Sequence, residues 1–252
     1  MRALTGWTRW RVLSRSLFIQ AGFNAEGMQS LGMLYALYPA LKELYPDPQQ
    51  QQEAARRHLA AFNTHPYVAA AIIGGTLFHE QRIVDGEEPP EKVTQFKAAL
   101  MGPLAAMGDG FFWLSLRPAV GALAVVTIPW LGAWSALLFL VLYNAVHLSA
   151  RGYLFFLGLK HGEGMVEKLA ALDIPWWGER LRRVTAGCAG ALAAFLALQY
   201  GAQQGGRGAP LLAGGCLLFG GLAWVLVSRM NVSPYVVLYA AALFSGALGA
   251  LL

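Results

Sequence analysis

Charge is scarce in this chain. Asp, Glu, Lys and Arg make up 13% of its 252 residues, about half the quarter or so that a soluble domain carries. Apolar residues reach 56%, and the mean hydropathy is +0.46. So little charge cannot clothe a water-facing surface, which excludes an ordinary soluble enzyme and points to lipid as part of the solvent. Cysteine is nearly absent. Cys188 and Cys216 both lie in apolar runs, which excludes a disulfide framework and suits small buried hydrophobes. Catalytic signatures are missing too: no Ser/His/Asp order, no metal-ligand spacing and no phosphate-cradling GxxxxGK[ST] loop. No catalytic residue, metal or cofactor is therefore expected. The net charge of +5 is modest, and its basic residues sit where cytoplasmic loops would, so nucleic-acid binding is not indicated.

What is present is hydrophobic length. A membrane-crossing helix needs about 20 apolar residues, and the runs 184–201, 210–227 and 234–252 approach that. The run 119–146 is too long for one straight span, and Pro129 is expected to divide it into a kinked helix or re-entrant hairpin. The segment 151–183 is rich in Lys and Arg, which predicts a cytoplasmic position for it and an external C-terminus. At the other end, Trp7, Trp10, Leu13, Leu17 and Phe18 recur near helical spacing among arginines, as in a helix lying on a membrane surface. A disordered tail is the alternative. A helix is predicted over 22–44, a polar amphipathic helix over 53–62, and a re-entrant or buried helix over 66–79. The stretch 92–116 is expected to be interrupted at Gly102-Pro103 and Gly108-Asp109-Gly110. The fold class is thus an all-α integral membrane protein with broken or re-entrant segments. Its divisions are an amphipathic segment 1–18, a core 19–165 and C-terminal helices 166–252.

Polarity inside this apolar sequence gathers in four places. Asn24, Glu26 and Gln29 can bring a carboxylate and two amides to one end of a helix, or simply start it by capping. Asn63, Thr64 and His65 precede Pro66, a favoured first-turn residue, and read as a cap or as hydrogen-bonding groups for a polyhydroxy ligand. Asp109 lies between glycines, with Trp113 one turn on and Arg117 as a possible ion partner. An intramembrane carboxylate is expensive unless paired or facing a cavity. Asn144, His147 and Arg151 share one helical face, as an interfacial anchor or a partner contact.

In order along the chain, these clusters resemble the IID component of the mannose/fructose/sorbose family of phosphotransferase-system (PTS) sugar permeases. Arg15-Ser-Leu-Phe-Ile-Gln20 with Phe23-Asn-Ala-Glu-Gly-Met-Gln29 is similar to the family's RSxxxQ…WNYERMQ. Arg57-His-Leu-Ala-Ala-Phe-Asn-Thr-His-Pro-Tyr67 is similar to RHLxFFNTHPY. Leu100 to Asp109, with Trp113 and Arg117-Pro118, is similar to LMGPLAGIGDxxFWxxxRP, and Asn144, His147, Arg151 and Tyr153 fit a following NxxHxxxRY region. The resemblance covers about residues 11 to 165. It implies a bacterial inner-membrane subunit that pairs with a IIC subunit, with the heterodimers gathered into a trimer. It implies elevator-like movement of a hexose and phosphate relay by soluble IIA and IIB, with no phosphohistidine on this chain. Substrate contacts are then expected from Asn24, Glu26, Gln29, Thr64, His65, Asp109 and Trp113, with Arg117, Asn144, His147 and Arg151 holding structure or partner. Phe23 and Gly27 depart from the pattern and motivate a second reading, a non-transporting scaffold or sugar sensor.

Overall fold

The computed structural model describes residues 4–203 and 209–230, with residues 232, 233, 236, 237, 239–241 and 243 beyond them. The described residues form helices joined by loops, without a strand. In chain order the helices are α1 (Gly6–Arg15), α2 (Ser30–Leu44), α3 (Pro48–Arg57), α4 (Ala69–Val84), α5 (Glu91–Gly108), a π-helical stretch (Asp109–Leu116), α6 (Arg117–Leu131), α7 (Trp134–His161), α8 (Met165–Ala170), α9 (Ile174–Gln203) and α10 (Ala209–Ser228). The chain forms two compact units, Met1–Thr185 and Ala186–Leu252, with the boundary inside α9.

The first unit is built around α4. This helix is buried along nearly its whole length, from Ala69 to Leu77 and on to Gln81, because small residues let α7 approach it closely. A Cβ on Gly74 would overlap the Phe155 carbonyl, and one on Gly158 would overlap the Ala71 carbonyl. Close approach of small residues is how helices gain van der Waals contact where lipid supplies no hydrophobic drive. On another side α1 packs Leu4, Val12 and Ile19 toward Met33, Ala36, Leu37 and Ala40 of α2. Thr5 caps α1 by accepting from the Thr8 amide, and Glu43 of α2 accepts from the Thr5 amide at 2.7 Å and from the Thr8 hydroxyl. The opposite face of α1 leaves Trp7 and Trp10 exposed. Asp47 caps α3, which starts on Pro48 and ends at Arg57, earlier than the sequence pattern suggested.

Several breaks fall elsewhere than the sequence predicted. The segment 22–29 is not helical. Asn24 Oδ1 accepts from the Glu26 and Gly27 amides, Met28 takes φ 55°, and the loop pairs by its backbone with Phe62. That side-chain competition for backbone amides delays α2 to Ser30. Glycines and Pro103 do not interrupt 92–116. Helix runs without a gap over the 41 residues Glu91–Leu131, and the irregularity is absorbed as the π-helical stretch. There the Ser115 hydroxyl donates to the Gly110 carbonyl at 2.8 Å, five residues back. Pro129 lies inside α6, and the chain turns at Gly132, whose φ of 52° costs a residue without a side chain little. By length and composition, Glu91–Leu131 and Trp134–Ala170 are each able to cross a membrane. Helices α9 and α10 cover the runs 184–201 and 210–227, and most of 234–252 lies outside the described residues.

Candidate functional site

Members of all four polar clusters converge beside the loop that leads into α4. Gln29 is buried, and its amide makes a reciprocal pair with the Thr64 backbone: Nε2 donates to the Thr64 carbonyl at 2.7 Å, and Oε1 accepts from the Thr64 amide at 3.0 Å. The Gln29 backbone N–H also donates to the Phe62 carbonyl at 2.8 Å. The first cluster therefore holds the second by backbone recognition that any residue at 62 and 64 could satisfy.

His65 is the centre of the convergence. Its ring, 2% exposed, stacks on Phe112 at 5.2 Å between centroids and meets Trp113 edge-on at 4.8 Å and Tyr67 at 5.0 Å. Gly108 makes room for it, since a Cβ there would overlap the imidazole. Nδ1 accepts from the Tyr67 amide at 3.3 Å, and burial, with Arg151 nearby, pushes the imidazole down to about 4. The neutral ring then carries its proton on Nε2, which has no hydrogen-bond partner among the described residues. Thr64 Oγ1 and His147 Nδ1 are likewise buried and unpartnered. A buried polar atom without a partner costs about 1–3 kcal/mol, so such a concentration calls for a ligand or water. Tyr67 carries the aromatic series across to α7, stacking on His147 at 4.3 Å, with its hydroxyl 3.4 Å from that of Tyr143.

Arg151 fixes this arrangement from α7. Buried to 3% exposure, it donates through Nη1 to the Ser16 carbonyl at 2.7 Å and hydroxyl at 3.2 Å, and through Nη2 to the Pro66 carbonyl at 2.9 Å. One guanidinium thus ties the N-terminal segment, the His65 loop and α7. Not every polar residue joins the cluster. Glu26 is exposed, Asn24 spends its amide on its own loop, and Asn144 donates to the Leu140 carbonyl in its own helix. Asp109 is half-buried, Arg117 is exposed, and no ion pair joins them among the described residues.

A second polar centre was not legible in the sequence. Glu80 of α4, with no exposed side-chain surface, accepts from Arg57 at 2.8 and 2.7 Å, from Tyr45 at 2.6 Å and from His58 Nε2 at 2.9 Å. Lys97 Nζ donates to the Arg57 carbonyl at 3.0 Å and reaches His58 Nδ1 at 3.2 Å. An ammonium only donates, so Nδ1 accepts and the His58 proton sits on Nε2, facing Glu80. Burial favours neutral His58. Burial also pushes Glu80 upward, but hydrogen bonds from Arg57 and His58 outweigh it and hold the carboxyl at about 2. In the sequence Glu80 stands in the polar run His79-Glu80-Gln81-Arg82 that follows an apolar stretch, and nothing local links it to Tyr45, Arg57 or His58. The network braces α2, α3, α4 and α5 just ahead of the His65 loop.

Chemically, the His65 surroundings offer aromatic faces and unspent neutral donors and acceptors, which suits binding of an uncharged polar molecule. No group of three His, Cys, Asp or Glu side chains able to hold a metal occurs among the described residues.

Comparison with known proteins agrees in kind. Residues 3–194 match the family model described as PTS system mannose/fructose/sorbose family IID component. The chain is 38% identical over 160 residues to the mannose-specific EIID component of Escherichia coli (strain K12), covering 63% of this chain and 56% of that protein. It is 38% identical over 176 residues to the fructose permease IID component of Bacillus subtilis (strain 168), covering 69% and 61%. The sorbose-specific EIID component of Lacticaseibacillus casei is 36% identical over 174 residues, covering 68% and 58%. The match thus spans less than two thirds of these relatives' own length. Among solved structures, a chain of the mannose transporter ManYZ in complex with microcin E492 aligns over 99% of this chain and 98% of its own, with TM-score 0.62 and 28% identity. Another, described only as a membrane protein, aligns over the same shares with TM-score 0.71 and 28% identity. The chain belongs to the PTS mannose/fructose/sorbose family of IID components.

Proposed function

We propose that this chain is the membrane-embedded IID subunit of a PTS sugar permease. Together with a IIC subunit it binds and translocates a hexose of the mannose/fructose/sorbose class, which IIB, recharged by IIA, phosphorylates on the cytoplasmic side. The observation that carries this reading is the His65 imidazole, buried and neutral with its Nε2 proton unspent, between the Trp113 and Tyr67 rings and beside the unpartnered Thr64 hydroxyl. Sugar hydroxyls need directional neutral partners, and a sugar ring's apolar face needs an aromatic one. Thr64, His65 and Trp113 are the contacts assigned to sugar, with Gln29 positioning Thr64. Asp109, half-buried and unpaired, is free to accept from a hydroxyl. Asn24 acts through the loop it caps, and exposed Glu26 is at most a peripheral contact.

The core 19–165 carries this site and the helices from 166 onward anchor it. An elevator-like stroke of that core, in a trimer of IIC–IID heterodimers, completes the reading. Its test is uptake of radiolabelled hexose by cells lacking other permeases and expressing this chain with its IIC, with and without IIB. Phosphorylated sugar should accumulate only when all three are present. Assembly of the complex without sugar binding would instead favour the scaffold or sensor reading suggested by Phe23 and Gly27.

A further inference from the structure

Exposed aromatic side chains mark two levels on the long helices of the first unit. Trp130 and Trp134, 72% and 71% exposed, flank the turn at Gly132. At the other level Tyr153, Trp176 and Trp177 are exposed. These belong together, because Phe111, Tyr153 and Ile174 line one cavity and Ile174 and Gly178 line another with Phe111. From Phe111 to Trp130 is 19 helical residues, and from Trp134 to Tyr153 is also 19. At 1.5 Å per residue each path is about 28 Å, close to the roughly 30 Å of a bilayer's hydrocarbon core.

Apart from Arg117 and Ser149 near the Tyr153 level, the exposed side chains between the levels are apolar, among them Val125, Ile128, Leu137, Leu140, Val141 and Val146. Two ionisable groups lie closest to the boundary there. Arg151 is buried inside the unit, and Arg117 is only six residues past Phe111, near enough for its side chain to snorkel back. On the far side of the Phe111 level the exposed face of α5 carries only small residues and Pro103 (Ala98, Ala99, Gly102, Ala106) and then turns polar, with Glu91, Thr94 and Gln95 exposed and Lys92 paired to Glu163 at 2.7 Å. At the level itself stand exposed Arg180, its guanidinium 3.6 Å over the Trp176 ring, and exposed Arg183. Aromatic rings with basic groups are what the headgroup region favours.

We propose that lipid hydrocarbon contacts the α5–α7 helices only between these two aromatic levels, so the bilayer spans residues 111–131 and 134–153 while α5 up to Gly108 projects beyond it. Two consequences follow. Half-buried Asp109 lies at headgroup depth rather than in hydrocarbon, which removes the cost of an unpaired intramembrane carboxylate. Gly108, which makes room for the His65 ring, then lies near the membrane surface too. The proposal rests on membrane residence and not on sugar transport, so a failed transport assay leaves it standing.

The test is a nitroxide scan of the full chain in liposomes, with Cys188→Ser and Cys216→Ser and single cysteines at exposed positions: Thr94, Ala98, Leu114, Leu123 and Ile128 on one path, and Leu140, Val146 and Phe156 on the other. The readout is the ratio of collision with oxygen, enriched in hydrocarbon, to collision with a water-soluble nickel chelate. The ratio should be highest at Leu123, Leu140 and Val146, fall several-fold by Leu114 and Phe156, and reach its water-like value at Thr94 and Ala98. A maximum on the N-terminal side of Phe111, or a hydrocarbon-like ratio at Thr94 and Ala98, would overturn the assignment.

Discussion

Replacing Glu80 by Gln should destabilise the first unit more than any other single isosteric change. The carboxylate accepts four hydrogen bonds, from Arg57 twice, Tyr45 and His58. It is also the anion that offsets Arg57 and Lys97, in a site where Glu80 and Lys97 are buried and Arg57 is mostly so. An amide at position 80 keeps one acceptor and turns a donor toward donors, leaving two cations uncompensated. Breaking a buried pair on one side costs about 3–5 kcal/mol, whereas a surface pair would cost less than about 1 kcal/mol. The assay is thermal and denaturant unfolding of the purified chain in detergent, with Lys97→Met alone and combined with Glu80→Gln. Removing the stranded ammonium should return part of the loss, and the double-mutant cycle measures that coupling. Acid supplies a second reading. The Glu80 carboxyl sits at about 2 against an ordinary 4.5, so its contribution is complete above the ordinary value and disappears as pH falls from there toward 2. Wild type and Glu80→Gln should therefore keep a constant gap between about pH 5 and 6, below the range in which Lys97, held at about 8 with help from Glu80, begins to titrate, and converge toward the acid end. A loss under about 1 kcal/mol, or a gap that persists at the acid end, would refute the network as a brace.

Arg151→Met should free the Ser16 and Pro66 carbonyls. With charged-donor bonds at about 1.5–3 kcal/mol each, limited proteolysis near Ser16 should speed up by at least tenfold. Gly158→Ala places a methyl against the Ala71 carbonyl and should cost about 1–3 kcal/mol by overpacking. Gly102→Ala, facing open space in α5, should be neutral or stabilising by up to about 1 kcal/mol. Equal unfolding midpoints for these two alanines would contradict the close α4–α7 approach. His65→Phe keeps the stacking on Phe112 but deletes both the unspent Nε2 donor and the Nδ1 that accepts from the Tyr67 amide, so the two effects should nearly cancel and the isolated chain should unfold within about 1 kcal/mol of wild type.

How much of this was legible in the sequence depends on how far apart the interacting residues lie. The run Asn63 to Tyr67 could be singled out because its polarity and its proline are adjacent, and the structure places His65 among the rings of Phe112 and Trp113. The Glu80 network was not legible, since its partners lie 22 to 35 residues earlier in the chain and no local pattern links them. Asn24 read first as a helix cap and second as a ligand contact, whereas it caps a loop instead, which Phe62 pairs with from a distant segment. Pro129 and Gly132 show the limit of local rules. A proline weakens a helix where it stands, but the chain turns where a residue can take positive φ, three positions later. Likewise Gly108 and Gly110 read as a break, whereas the helix kept its continuity by widening into a π turn.

The central claim is that the His65 surroundings bind sugar. The measurement that tests it most directly is calorimetric titration of hexose into the purified complex of this chain with its IIC subunit, comparing wild type with His65→Phe and Trp113→Ala. Loss of one hydrogen bond or one stacking face, at about 1.4 kcal/mol each, should weaken binding about tenfold in complexes that assemble and unfold as the wild type does. Unchanged affinity in both variants would contradict it and move the sugar away from His65.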